Sequence, residues 1–117
     1  MRVLVVTETD SFCGPMAAAF LRDYFVSTEV VSAGRNPSAS VDPILVGVMK
    51  ECMVDLDGYV PRALDTIEMK DFDAVYDCPE LSCPSSWDEC RRIRDYIKNE
   101  SFLYYKSLRG MLLEPQR

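Results

Sequence analysis

Thiols and carboxylates hold whatever chemistry this chain can do, because its five cysteines and nineteen acidic residues are accompanied by no histidine. Without imidazole the commonest general base is missing, and proton transfer falls to carboxyl or thiol groups. Cys13 opens a helical stretch, Cys13-Gly14-Pro15-Met16, where a helix amino end favours the nucleophilic thiolate. Glu8 and Asp10 lie just upstream and oppose that charge, so residue types alone leave the balance open. Cys78-Pro79 and Cys83-Pro84 mark a proline-stiffened loop that could close a disulfide, geometry permitting. One reading is therefore a thiol redox protein using Cys13 with Cys78 or Cys83; the plain alternative is that all three thiols are structural. An odd cysteine count without a leader sequence points to reduced thiols. With no histidine and no paired Cys-x-x-Cys motif, no metal site is expected.

The segment carrying Cys13 is the one that the other elements must position. Met1 to Val6 is a short β-branched apolar run, Thr7 to Phe12 is polar, and an alanine-rich stretch follows. An apolar run bounded by turn signals reads as a buried parallel strand, and proline at the first helical position sacrifices no hydrogen bond. Strand, loop and helix follow in that order. In an open α/β sheet this junction lies at the carboxyl end of the strand, where backbone amides and the positive helix end converge. The expected ligand-binding loop is thus Thr7, Glu8, Thr9, Asp10, Ser11, Phe12, Cys13 and Gly14.

Met16, Ala17, Phe20, Leu21, Tyr24 and Phe25 recur at helical spacing, with Arg22 and Asp23 opposite, which predicts a core-facing helix. Thr28 to Ser32 reads as a second strand ended by Gly34, followed by a polar loop. Asp42 with Pro43 caps a second helix whose buried stripe is Leu45, Val48, Met49 and an inert Cys52. Leu56-Asp57-Gly58-Tyr59 is a turn, and Asp65 with Glu68 suggests a capping box and a short helix before a third strand at Ala74-Val75-Tyr76. Ser86-Trp87-Asp88-Glu89 is a better capping box. Cys90, Ile93, Ile97, Ser101, Tyr104 and Leu108 then continue a long helix toward Gly110, with a bend or fray expected near Asn99 and a tail from Met111 to Arg117. Strands alternating with helices imply parallel strands joined by right-handed crossovers.

At 117 residues the chain is read as one domain, 1–117, with no secretory or membrane-spanning segment, and the cytoplasm is the expected location. A net charge of −6 argues against nucleic acid and anionic membrane as partners, because both require a basic face. Arg91, Arg92 and Arg94 alternate with Asp88, Glu89 and Asp95 and read as a solvated helix face. The partner is left as an unspecified protein or small-molecule ligand, and no cofactor is called for.

Val6-Thr7-Glu8-Thr9-Asp10-Ser11-Phe12-Cys13-Gly14-Pro15-Met16-Ala17 resembles the phosphate-binding loop of low-molecular-weight protein tyrosine phosphatases and the related thioredoxin-coupled arsenate reductases. That pattern is a cysteine, five residues, an arginine, then Ser-Pro-Met or Ser-Gln-Met. Counting back from Pro15-Met16, Thr7 holds the cysteine position and Cys13 the arginine position. Val31-Ser32-Ala33-Gly34, Asp42-Pro43, Val48-Met49-Lys50-Glu51, Val54-Asp55-Leu56 with Arg62, Phe72 to Tyr76 and Arg92 to Ile97 resemble further family segments in the correct order. The fold implied is α/β, a three-layer sandwich whose short parallel sheet of three or four strands is flanked by helices.

The resemblance also implies a mechanism, in which the cysteine attacks phosphorus or arsenic, the arginine holds two oxyanion oxygens, and an aspartate on a later Asp-Pro loop protonates the leaving group. Thr7 would need a base that is not apparent, Cys13 replaces a bidentate cation by a small weakly polar group, and Glu8 and Asp10 add like charge. The general-acid segment is shortened, leaving Asp77 and Asp88 as the nearest carboxylates. The segment Cys78 to Pro84 resembles the arsenate-reductase stretch whose two cysteines relay a disulfide. The expectation is a degenerate member acting as a binding or regulatory module without phosphatase activity. The alternatives are the thiol redox protein and a residual phosphatase or arsenate reductase.

Overall fold

Apolar side chains on both faces make Arg2–Thr7 the central strand, β1: Val3, Leu4 and Val5 have no exposed surface and Val6 only 3%. A strand covered on both sides has no use for polar alternation, which is why this run reads as continuously hydrophobic. A computed structural model describes residues 1–25, 27–81 and 86–113, the last three through their backbone alone. β1 pairs in parallel with β2 (Glu29–Gly34) and with β3 (Ala74–Asp77), in the order β2-β1-β3. Leu4 lies opposite Val31 on one side and Val75 on the other. Among the described residues no strand pairs with the outer side of β3, so the sheet has three strands there.

Helices α1 (Cys13–Tyr24), α2 (Pro43–Lys50) and α3 (Trp87–Leu113) build one large cluster with Val3 and Val5. Leu4, Val6 and Ala33 form a second, smaller cluster covered by Leu64, Ile67 and Phe72. Those covering residues come from or flank two 3-10 turns, Leu64–Thr66 and Met69–Asp71, where the sequence suggested a capped short helix. Neither turn has a side-chain cap, so the expected Asp65/Glu68 box is not formed. The molecule is α/β, with a short parallel sheet flanked by helices. None of its described helices is long and apolar enough to cross a membrane.

α1 begins at Cys13, two residues earlier than proline placement suggested. Pro15 is tolerated at the third helical position because first-turn N–H groups have no intrahelical acceptor in any case. Every residue from Cys13 to Leu21 is buried, and the three alanines let this helix lie close against its neighbours. Its far end closes on α3 through an aromatic group in which Tyr24, Phe25 and Phe102 surround Tyr105.

The Asp42 cap on α2 forms as expected, its Oδ1 accepting the Ile44 N–H at 2.9 Å. Leu45, Val48 and Met49 are fully buried, whereas Cys52 falls in the turn beyond the helix and is only partly buried. The turn at Leu56 to Tyr59 forms too, with Gly58 at φ 80°.

α3 starts where Ser86 accepts the Glu89 N–H at 3.2 Å, and it runs without interruption through Asn99 and Gly110. The helix does not fray at Asn99, where the flanking Ile97 and Ser101 are both fully buried. Arg91 and Arg94 are more than a solvated face. Both grip Glu51 at the end of α2, at 2.7 Å each, and Arg94 also donates to the Val48 carbonyl at 3.1 Å.

Candidate functional site: the loop between the first strand and the first helix

The chain leaves β1 at Thr7 and must reverse into α1 at Cys13, and a second segment holds the intervening loop open. Residues 35–42 run alongside it and donate four backbone N–H groups to its carbonyls: Arg35 to Thr7 at 3.0 Å, Asn36 to Glu8 at 2.7 Å, Ser38 to Thr9 at 3.0 Å and Asp42 to Ser11 at 3.1 Å. In a planar trans peptide the N–H points opposite to the C=O. The amides of the same peptides, those of Glu8, Thr9, Asp10 and Phe12, therefore point away from residues 35–42; that of Asp10 is taken by the Thr7 hydroxyl and that of Thr9 by Glu80.

The side chains are disposed differently from a simple anion cradle. Asp10 sits at φ 51°, a left-handed conformation that aspartate tolerates better than most residues, and it is fully buried. One carboxylate oxygen accepts the Tyr59 hydroxyl at 2.5 Å and the Arg62 backbone N–H at 2.9 Å. Tyr59 in turn shares a 2.6 Å hydrogen bond with Ser32. The other oxygen, Oδ1, has no partner among the described residues. Burial pushes the Asp10 carboxyl above its ordinary value, with the Tyr59 and Arg62 hydrogen bonds opposing.

Thr7 is 1% exposed, and its hydroxyl oxygen accepts the Asp10 N–H at 3.2 Å, so it closes the loop on itself. Gly14 must be glycine in this arrangement. A Cβ there would stand 2.7 Å from Thr7 Oγ1 and 3.0 Å from Asp10 Oδ1. Glu8 turns aside to take a hydrogen bond from the Asn36 side chain. Thr9 and Ser11 share a hydroxyl contact of 2.8 Å. Phe12, 4% exposed, belongs to the main core.

The structure decides the thiol balance that residue types left open. Cys13 does stand at the amino end of α1, yet it has no exposed surface, and burial pushes its thiol up to about 11. The Leu81 N–H donates to its sulfur at 3.4 Å, and the Cys78 thiol donates to its carbonyl at 3.8 Å. Cys78, 5% exposed, is raised as well, first by burial and then by the neighbouring charge of Cys13 and Glu80. Both are free thiols. Cys13 and Cys78 are thus brought together, while Cys83, and with it the proposed Cys78 to Cys83 pairing, lies outside the described residues.

Of the two remaining carboxylates considered as general acids, Asp77 at the end of β3 pairs with Arg35 at 3.0 Å. Asp88 pairs with Arg91 at 3.0 Å on α3. Asp77 and Arg35 together bridge the ends of the two outer strands across β1. Four participants escaped the sequence reading. Tyr59, Ser32 and the Arg62 amide come from a turn, a strand and a connection with no marker of their role. Glu80 lay in a stretch noticed only for its cysteines, yet its Oε1 accepts the Thr9 N–H at 3.4 Å. Among the described residues no three or more cysteine, aspartate or glutamate side chains gather as a metal site would require.

The model of the low molecular weight phosphotyrosine protein phosphatase family matches residues 2–101. Among solved structures, the Erwinia amylovora tyrosine phosphatase AmsI is similar over 91% of each chain, at 17% identity and a TM-score of 0.77. An arginine phosphatase, YwlE of Geobacillus stearothermophilus, is similar over 99% of this chain and 97% of its own, at 17% identity and 0.75. An arsenate reductase in its phosphate-binding state is similar over 91% and 97%, at 19% and 0.72. At these identities the likeness is one of fold. No curated protein sequence matches the chain.

Proposed function

This chain belongs to the low molecular weight phosphotyrosine protein phosphatase family, and from that premise we propose that it is a member without phosphatase activity that serves as a binding or regulatory module. One observation carries the reading: the side chains at the two ends of the loop, Thr7 and Cys13, are both buried and both already engaged, Thr7 by the Asp10 amide and Cys13 by the Leu81 amide. In the resembling loops the first position attacks and the last grips the oxyanion. Thr7 has instead a hydroxyl bonded by the Asp10 amide. A hydroxyl is a weak nucleophile unless a base takes its proton, and what Asp10 presents to the Thr7 hydroxyl is its backbone N–H, while one of its carboxylate oxygens is held by Tyr59 and the Arg62 amide. Cys13 supplies neither charge nor a planar fork of donors, and its thiol stays protonated near neutral pH.

Electrostatics point the same way. No cation among the described residues is hydrogen-bonded to the loop's side chains, and Arg35, the arginine at its rim, is paired with Asp77. The test is turnover of an aryl phosphate by the wild type and by Cys13→Ser. Background turnover in both is expected; clear turnover by the wild type overturns the proposal, and its loss in Cys13→Ser would assign that turnover to the thiol.

A second reading has one specific observation in its favour, the adjacency of Cys13 and Cys78. A disulfide there would release two protons and pass two electrons to an oxidant such as a peroxide. Raised thiol pKa values slow that attack, because the thiolate is the reacting form. Thiol counting with mass mapping after mild peroxide treatment decides it, and a reversible Cys13 to Cys78 bridge is the result that would favour the redox protein.

A further inference from the structure

The Thr9 N–H of this loop meets a negatively charged oxygen that the chain itself brings there. We propose that the Glu80 carboxylate is an internal ligand of this loop, seated on the Thr9 amide, and that it holds the loop closed to external anions. The inference rests on the reading of the loop as a binding site.

Two consecutive residues of the segment after β3 touch opposite ends of the loop. Glu80 Oε1 accepts the Thr9 N–H at 3.4 Å, and the Leu81 N–H reaches Cys13 Sγ at 3.4 Å. Behind them Cys78 is fastened to β1 by its N–H on the Val6 carbonyl at 3.0 Å, and to the start of α1 by its thiol on the Cys13 carbonyl at 3.8 Å. The segment therefore straddles the loop and is anchored on both sides.

The loop's own acids are turned elsewhere. Glu8 faces Asn36, and Asp10 is buried against Tyr59 and the Arg62 amide. Glu80 is thus the carboxylate from outside the loop that meets one of its amides, that of Thr9. The charge of Glu80 also acts on the nearby Cys13 and Cys78, helping to keep both thiols protonated. A planar monoanion accepting from backbone N–H groups is the chemistry that such a loop supports without an arginine. An external oxyanion would meet Glu80's charge at short range, where repulsion between like charges is only partly screened.

The test uses inorganic sulfate as the probe. Amide shifts of residues 8 to 14 are followed by nitrogen-15 correlation spectra during a sulfate titration at fixed pH and ionic strength, in wild type, Glu80→Ala and Glu80→Gln. Glu80 is exposed, so neither variant threatens the core. The expected result is a saturable shift centred on Thr9 in Glu80→Ala, with an apparent Kd at least tenfold below that of the wild type. Glu80→Gln, which keeps an acceptor but loses the charge, should fall between them. Equal affinities in wild type and Glu80→Ala, or shifts outside residues 8 to 14, overturn the proposal. Aryl phosphate turnover by the same wild-type sample bears on the proposed function alone: turnover there defeats the absence of phosphatase activity, while the sulfate comparison still decides the role of Glu80.

Discussion

Asp10 combines three features that strain against one another: a left-handed backbone, complete burial and an oxygen with no partner among the described residues. The backbone is secured by the Thr7 hydroxyl and the burial by Tyr59 and Arg62, so the unmatched part is charge. A carboxyl whose folded pKa is raised binds its proton more tightly in the folded chain. Stability from this group is therefore full at low pH and is lost as pH rises from the ordinary value of 3.8 through the folded one. Asp10→Asn keeps an acceptor for Tyr59 and Arg62 and removes the charge. It is expected to stabilise the protein at pH 7, because the cost of burying the charge is removed, with the gain shrinking toward pH 4. Urea midpoints measured across that range check it, and a pH-independent difference would refute it.

Gly14→Ala acts on the same two oxygens from the opposite side. A methyl 2.7 Å from Thr7 Oγ1 forces the short, branched threonine to move, and a loss of about 1 to 3 kcal/mol is expected by urea unfolding.

Elements meet most sharply where α2 docks on α3. Glu51, at the end of α2, receives Arg91 and Arg94 from α3, and those hydrogen bonds, Arg91's first, hold its carboxyl down to about 2. The sign is opposite to that of Asp10. A depressed carboxyl contributes stability above its ordinary value of 4.5 and loses it as pH falls toward 2. Acid unfolding followed by circular dichroism should accordingly begin at lower pH relative to neutral stability in Glu51→Gln, which has no such contribution to lose.

Gly47 marks the other half of this contact, since a Cβ there would lie 2.1 Å from the Trp87 ring. Trp87 is the only tryptophan, so its fluorescence reports the docking directly. Gly47→Ala should push the indole outward, raise its quenching by iodide and cost about 1 kcal/mol, because a ring already 45% exposed can swing into solvent. Unchanged quenching would mean that α2 shifts instead.

For the whole molecule the hub is β1, which contacts both other strands and both hydrophobic clusters. Truncating Leu4, fully buried in the smaller cluster, should cost about 2 to 5 kcal/mol, a large share of the stability expected for a domain of this size. A single urea transition shifted as a whole is the expected outcome.

By itself the sequence determined the order of strands and helices and most of the faces they bury. Periodicity and capping act over a few residues: the Asp42 cap, the Ser86 cap and the stripe from Cys90 to Leu108 need no distant partner to be recognised. The family resemblance likewise followed from local motifs in order. Local signals failed where a neighbour from far along the chain decided the outcome. Asp65 did not cap a helix, Asn99 did not fray α3, and Arg94 was not simply solvated. Only the tertiary structure decided what the loop is made of. Tyr59, the Arg62 amide and Glu80 converge on it from 49, 52 and 71 residues away, and burial raises the Cys13 thiol against its helix end. A charge balance depends on distance and on exclusion of water, and a residue's type records neither.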